Sequence, residues 1–446
     1  MTLYTTTSEE DDEDGSPRPP PLLLAAALAQ RMTASAPPLP LAVRLMNLAG
    51  RAARGVGLRP LDLRAEALLE KAQRNTGLSD FGGDEFRQPL ALLIDSLERE
   101  AKLSLLGRII ARSDLLRTLE NRLRLVEVFR EHPEIAEQPV ERPIFVVGAP
   151  RSGTTIFHDL LAMDPANRVP LSWEACYPLP PPETATFRTD PRIARVQADL
   201  DRVDRLLPEF KKMHPMGAER AQECVALTSH DLASMIYQTQ FDVPTYDRWV
   251  LASDMKSALA WHRRFLQVLQ WKAPAERWAL KSPQHLWHLQ HVHREYPDAL
   301  FVQTHRDPVR VLVSISSLVA MLRRLASDDV SLPRVADYYA RALARGFDNT
   351  VAYRRAGGLP RSQVVDLYFK DFLDDEVGTV RRAYEHFGLE LPDAAAAAMQ
   401  SFLDDNPPDK HGRHLYRFED IGMDEREVRA LFHDYQSYFD IPSEPL

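Results

Sequence analysis

The stretch from Pro143 to Leu161, PIFVVGAPRSGTTIFHDLL, limits the fold of this 446-residue chain more than any other. An apolar, β-branched run suited to a buried strand passes through a glycine-bearing turn straight into a segment that can start a helix. Four residues separate Gly148 from Gly153, the G-x-x-x-x-G spacing of phosphate-binding loops. Thr154 and Thr155, however, stand where such loops carry Lys and then Ser or Thr, and the loop's cation is internal, as Arg151. Backbone N–H groups of Ser152 to Thr155 at a helix start, with the helix dipole and the hydroxyls of Ser152, Thr154 and Thr155, make an anion site.

The surroundings of this unit set the fold class. From Ala65 to about Glu134 apolar residues recur at three and four, interrupted at TGLSDFGGD, which predicts a helical cap ahead of the loop. Beyond it, short apolar runs (IFVV at 144, WAL at 278, LFVQTH at 300, VVDLYF at 364) alternate with long helical stretches, which predicts crossover units and a parallel sheet covered on both faces. Residues 1–40 join a six-acid run, Glu9 to Asp14, to PRPPP and APPLPL and read as a disordered tail. The division is therefore tail at 1–40, helical cap at 41–135 and α/β domain at 136–446.

With 55 basic and 64 acidic side chains, no global field favours nucleic acid. Cys176 and Cys224 lie far apart and read as ordinary thiols in a reducing compartment. The acidic N-terminal run occupies the place of a basic leader, and Leu22 to Ala29 is too short for a span, so the chain reads as cytoplasmic with no transmembrane segment.

Two more strand ends carry cations. In LFVQTHRDPVRVLVSISSL, a strand ends at His305, Asp307 caps, Pro308 opens the helix, and Ser314 shares a face with Arg310 and Ser317. Arg306 then stands at the carboxyl end of a parallel strand, where open α/β sheets bind ligands. The His-Arg-Asp triplet is not a kinase catalytic loop, because Leu312 occupies the position of the required asparagine. In RWALKSPQHLWHL, Lys281 and His285 sit four apart just past a strand.

These three stretches, in this order, resemble the sulfotransferases that use 3′-phosphoadenosine 5′-phosphosulfate (PAPS), in the bacterial and carbohydrate-type branch with a P-R-S-G-T-T loop; the match runs from Pro143 to Gly422 in scattered motifs. The resemblance implies a P-loop-like three-layer α/β fold with a central parallel sheet of about five strands. It implies that Arg151, Ser152, Gly153, Thr154 and Thr155 grip the 5′-phosphosulfate and that Arg306 and Ser314, eight apart, grip the 3′-phosphate. Arg151 takes the part usually played by lysine in this loop, and Lys281 is the second cation over the transferring group. For the general base, Glu174 and His285 compete, with His214 a third candidate. Tyr368 falls where relatives place a residue against the adenine, and Lys410, His411, Arg413 and Tyr416 form a basic loop over the 3′-phosphate.

A sulfuryl group carries one negative charge fewer than a phosphoryl and needs no magnesium clamp, so a cation at the bridging oxygen suffices and the missing Lys-Ser pair is accounted for. The expected activity is metal-independent transfer from PAPS, leaving 3′-phosphoadenosine 5′-phosphate, to a hydroxyl of a small-molecule, lipid or sugar acceptor. The alternatives are a small-molecule P-loop kinase and a non-catalytic nucleotide-binding homologue. The segments Phe187 to Pro215 and Gln222 to Trp261, the latter with Tyr237, Phe241, Tyr246 and Trp249, are expected to line or lid the acceptor pocket.

Overall fold

The computed structural model describes residues 39–57, 61–407, 410 and 416–446, and Leu39–Leu446 forms one compact unit. The expected tail, apart from its last two residues, lies outside the described residues, as do His411 and Arg413. No described helix is long and apolar enough to cross a membrane.

Five parallel strands make the sheet: β1 (Ile144–Gly148), β2 (Asn167–Arg168), β3 (Arg277–Lys281), β4 (Leu300–His305) and β5 (Val364–Tyr368), in the spatial order β2-β3-β1-β4-β5. β1 is buried along its whole length, as a run apolar on both faces requires. Because the first strand is central, the chain departs from it to β2 and β3 on one side and later to β4 and β5 on the other. A crevice therefore opens beyond its carboxyl end, and the loop read from the sequence lies there.

Pleat alternation assigns side chains to the two faces. Val146 is paired with Lys281 and Val302, and Phe145 with Leu280 and Phe301. The helices packed on the sheet or ahead of it include α1 (Leu41–Gly55), α2 (Ala65–Thr76), α3 (Arg87–Arg99), α4 (Leu105–Glu131), α5 (Thr154–Leu161), α6 (Lys256–Gln270), α7 (Pro308–Arg323), α8 (Leu332–Arg355), α9 (Glu376–His386) and α10 (Asp393–Asp405). The Val146 face is packed by Phe157 and Leu160 of α5, Tyr384 of α9 and Met399 of α10. On the Phe145 face lie Tyr296, His285 and His262 of α6.

The N-terminal helices have local causes. Gly77 closes α2 in the left-handed conformation at φ 73°, and Ser104 caps α4 by accepting the Gly107 N–H at 3.0 Å. Arg122 of α4 ties this layer to the middle of the chain. It is fully buried and donates to Phe81 O at 2.8 Å, His230 O at 3.0 Å and Asp231 Oδ1 at 2.8 Å. Its guanidinium lies 4.0 Å over the Trp261 ring and 4.4 Å over Phe86. Arg122→Ala leaves Asp231 buried without its cation and is expected to cost about 3–5 kcal/mol. The midpoint of urea unfolding measures this, and an unchanged midpoint would remove Arg122 as the tie between the layers.

Candidate active site

The loop after β1 is shaped by backbone geometry that few residues accept. A Cβ on Gly148 would sit 2.2 Å from Thr304 Oγ1, so β1 and β4 approach there only through glycine. Arg151 at φ 70° and Gly153 at φ 92° are both left-handed, and the loop curls between them before Thr154 opens α5. Ser152 points inward, donating to Ala149 O at 2.6 Å and sharing a 2.7 Å hydrogen bond with Thr304 Oγ1. Its hydroxyl, counted from the sequence among the donors to a ligand, instead fastens the loop to β4. What faces the crevice is the amide-lined start of α5, with the exposed Thr155 beside it.

Arg151, Arg306 and Ser314 come together in the structure. Asp307 accepts the Val309 N–H at 2.8 Å and caps α7, with Pro308 in its first turn, which sets Ser314 on the face toward the loop. Arg151 donates through Nε to Ser314 Oγ at 3.1 Å and through Nη1 to Met213 O at 2.8 Å. Arg306 donates to Arg151 O at 3.1 Å and lies 4.2 Å over the Phe369 ring. Burial, and with it the like charge of Arg306, pushes the Arg151 guanidinium down from its ordinary value.

An acid near the end of the chain completes this cluster. Glu444 takes Arg306 Nε and Nη2 in a bidentate pair at 2.9 and 3.0 Å, with Arg310 Nε at 3.9 Å. Its own N–H bonds Asp307 Oδ2 at 2.7 Å, and Arg429 bridges Asp307 and Ser443. The Arg306 seat thus holds a two-oxygen anion in the geometry a phosphate needs.

Lys281 enters from β3 on the Val146 face, which is the face of α5. Its Nζ donates to Thr155 Oγ1 at 3.3 Å and pairs with Glu223. Burial raises the Glu223 carboxyl, but Lys281 foremost, then His214 and His158, more than offset that and hold it below the usual carboxylate range. Burial also pushes His214 down to about 4, with Lys281 and Arg151 adding to the effect, so the ring is neutral near pH 7. Glu223 was missed in the sequence, where an acid just ahead of the apolar run CVAL reads as an ordinary helix start. Glu444 carries no signal in the sequence at all.

The two bases first in line from the sequence do not stand at this cluster. Glu174 is wholly buried, accepting from Arg168 Nη2 at 2.5 Å and from the Leu171 N–H at 2.9 Å, so both oxygens serve the fold. His285 follows Lys281 round a tight turn onto the opposite face of the sheet, edge-on to Phe145 at 5.2 Å. It borders a small cavity of about 10 Å³, and burial holds its pKa down to about 3. Tyr368 shares that opposite face with His305 and donates to Phe439 O at 2.8 Å; its neighbour Phe369 is the ring beneath Arg306. Lys410 donates to Asp405 O at 2.8 Å, closing α10. Tyr416 does face the cluster, with Arg310 over its ring at 5.7 Å.

Next to Arg151 lies a separate apolar cluster. Phe210 and Met213 of the Leu207–Met216 segment pack on Leu318, Met321 and Leu322, a stripe along α7 that begins one turn beyond Ser314, and on Leu325 in the turn after it. Methionines on both sides make it a surface that repacks readily. It falls at the edge of the Phe187 to Pro215 segment expected to cover an acceptor, whereas Tyr237, Phe241 and Tyr246 are core residues.

Residues 143–393 match the sulfotransferase family. An omega-hydroxy-beta-dihydromenaquinone-9 sulfotransferase, Stf3, of Mycobacterium bovis and Mycobacterium tuberculosis, is 24% identical over 278 residues, which is 59% of this chain and 67% of its own. Among solved structures, the sulfotransferase STF1 from Mycobacterium tuberculosis is 31% identical with a TM-score of 0.73, over 83% of this chain and 98% of its own. The sulfotransferase STF9 from Mycobacterium avium is 28% identical with a TM-score of 0.80, over 87% and 100%.

Proposed function

The chain belongs to the sulfotransferase family, enzymes of sulfuryl transfer, and from that premise we propose that it moves the sulfuryl group of PAPS to the hydroxyl of an apolar, lipid-like acceptor, with Glu223 as general base. The observation that carries the reading is the convergence of Arg151, Lys281 and Glu223 at the start of α5, beside a second anion seat at Arg306 and Ser314. The small-molecule kinase alternative gives way to the family match.

Each residue has a role that its position supports. The amides opening α5 and the Thr155 hydroxyl hold the sulfonated 5′-phosphate. Arg151 and Lys281 neutralise the charge that builds on the leaving phosphate oxygen, and Arg151, always protonated, does so without acting as an acid. The donor supplies the sulfuryl group and its leaving phosphate. Glu223, kept ionised by Lys281, accepts the proton of the attacking hydroxyl, and the neutral His214 orients the carboxylate. Arg306 and Ser314 hold the 3′-phosphate in the seat that Glu444 fills in the free chain. The Phe369 ring beneath Arg306 is better placed for a base than Tyr368. The apolar stripe of α7 under the Leu207–Met216 segment supports an acceptor whose hydroxyl is carried on an apolar body, and Stf3, similar to this chain, is named for a menaquinone-derived substrate.

Glu223→Gln is expected to lower kcat about 10²–10⁴-fold while the affinity for 3′-phosphoadenosine 5′-phosphate holds, measured as nucleotide release from PAPS with a panel of long-chain alcohols. Because Lys281 keeps the Glu223 pKa low and burial keeps that of His214 near 4, neither group changes charge between about pH 6 and pH 8. The acid limb of the rate profile therefore lies below that range, and Lys281→Met moves it upward. Full turnover in Glu223→Gln would remove it as the base.

In calorimetric titration with 3′-phosphoadenosine 5′-phosphate, Arg306→Ala is expected to weaken binding, whereas Glu444→Gln, by freeing the seat, strengthens it about tenfold. Unchanged affinity in both would place the 3′-phosphate elsewhere. Excess chelator is expected to leave the transfer rate unaltered, and its abolition would replace the cation pair with a metal.

A further inference from the structure

α1 turns an apolar face outward. Leu41, Leu45, Leu48, Ala49, Ala52 and Val56 fall within about 100° of helical arc, and the four large ones are 67%, 56%, 54% and 75% exposed. The opposite side fixes the helix to the protein. Asn47 Oδ1 accepts the Leu106 N–H at 3.1 Å, and Gly50 lies so close to α4 that a Cβ would be 2.6 Å from Leu105 Cβ. Arg51 pairs with Asp328, and Arg54 donates to Leu103 O at 2.8 Å. This is an anchored helix whose outer stripe has no partner among the described residues.

We propose that this face docks the enzyme on an anionic lipid surface. Charge selects that occupant. α1 contains three arginines and no acid, in a chain of net charge −9. Arg44 borders the stripe on one side, with Arg51, paired to Asp328, next beyond it, and a basic residue beside an apolar stripe is the arrangement of helices that lie in a membrane interface and draw affinity from anionic headgroups. A second copy fits less well, because self-pairing of α1 would bring those arginines together with no acid on either helix.

Position gives independent support. Ser314 bonds Arg151, and Leu318, Met321 and Leu322 continue along α7 for about 12 Å from Ser314, with Leu325 in the turn that follows the helix. The next residues hold the α1 layer: Ala326 O accepts the Ser104 N–H at 2.8 Å, Ser327 Oγ donates to Lys102 O at 3.0 Å, and Asp328 pairs with Arg51. The apolar path from the reacting groups thus ends beside the helix that faces the lipid. This delivery route rests on the lipid-like acceptor proposed above, while the docking itself does not.

The test is co-sedimentation of the full chain with vesicles of phosphatidylcholine alone and of phosphatidylcholine with phosphatidylglycerol. Binding to the anionic vesicles is expected, weakened by salt and by Arg44→Glu, and reduced at least about tenfold in Leu45→Ser/Leu48→Ser. Both leucines are exposed, so affinity for 3′-phosphoadenosine 5′-phosphate should be unchanged and reports folding separately. No sedimentation with either vesicle while the nucleotide binds would overturn the docking and leave the proposed function standing. Association of copies without vesicles, undone by the double serine variant, would assign the face to a second copy and equally overturn it. Vesicle binding without nucleotide binding would keep the docking and sink the proposed donor.

Discussion

Like charges crowded into one crevice are the constraint around which this structure is built. Arg151, Lys281, Arg306 and Arg310 stand at the ends of neighbouring strands or one turn beyond, and a pair of charges about 4 Å apart near a protein surface repel by about 4 kcal/mol. Two acids, Glu223 and Glu444, each lie against one part of the cluster and relieve it. They divide it into two seats, one at the start of α5 and one at the start of α7. A ligand with two separated anionic groups can satisfy both at once, which neither acid can do alone.

Where neutralisation is fixed and where it is exchangeable differs between the seats. Glu223 sits inside, within reach of Lys281 and of the half-buried His214, on a segment held among helices. Glu444 is held by its own N–H to Asp307 and by Arg429 through Ser443, in a short stretch after the last helical turn. In the proposed mechanism the inner acid remains and takes a proton, while the outer one gives way to the ligand.

Much of this was legible in the sequence because local chemistry and tertiary position agree. The β1 loop, the Asp307 cap, Pro308 and the Arg306–Ser314 spacing all express short-range rules, and the structure joins them by hydrogen bonds. β2 was not legible: Asn167 and Arg168 have no periodicity, and their strand exists only through pairing with Arg277 and Trp278. The two base candidates read from the sequence stand away from the cluster for a related reason. Lys281 and His285 are near in sequence, but Lys281 faces α5 with Val146 and Ala279, and the following turn carries His285 under Phe145. Glu174, promising by position, is consumed by Arg168. Glu223 and Glu444 reach the site from 58 and 138 residues away along the chain from their partners, a distance no local pattern encodes.

The hydrogen bond from Arg306 to the Arg151 carbonyl has a further meaning once both seats are considered together. Arg151 reaches back to Ser314, on the helix that Arg306 precedes, so each seat is braced by the other and the gap between them is set by covalent geometry and two hydrogen bonds. Such a pair behaves as a caliper. It measures the separation of two anionic groups on one molecule, and the donor proposed above carries its own at the 3′ and 5′ positions of a single sugar.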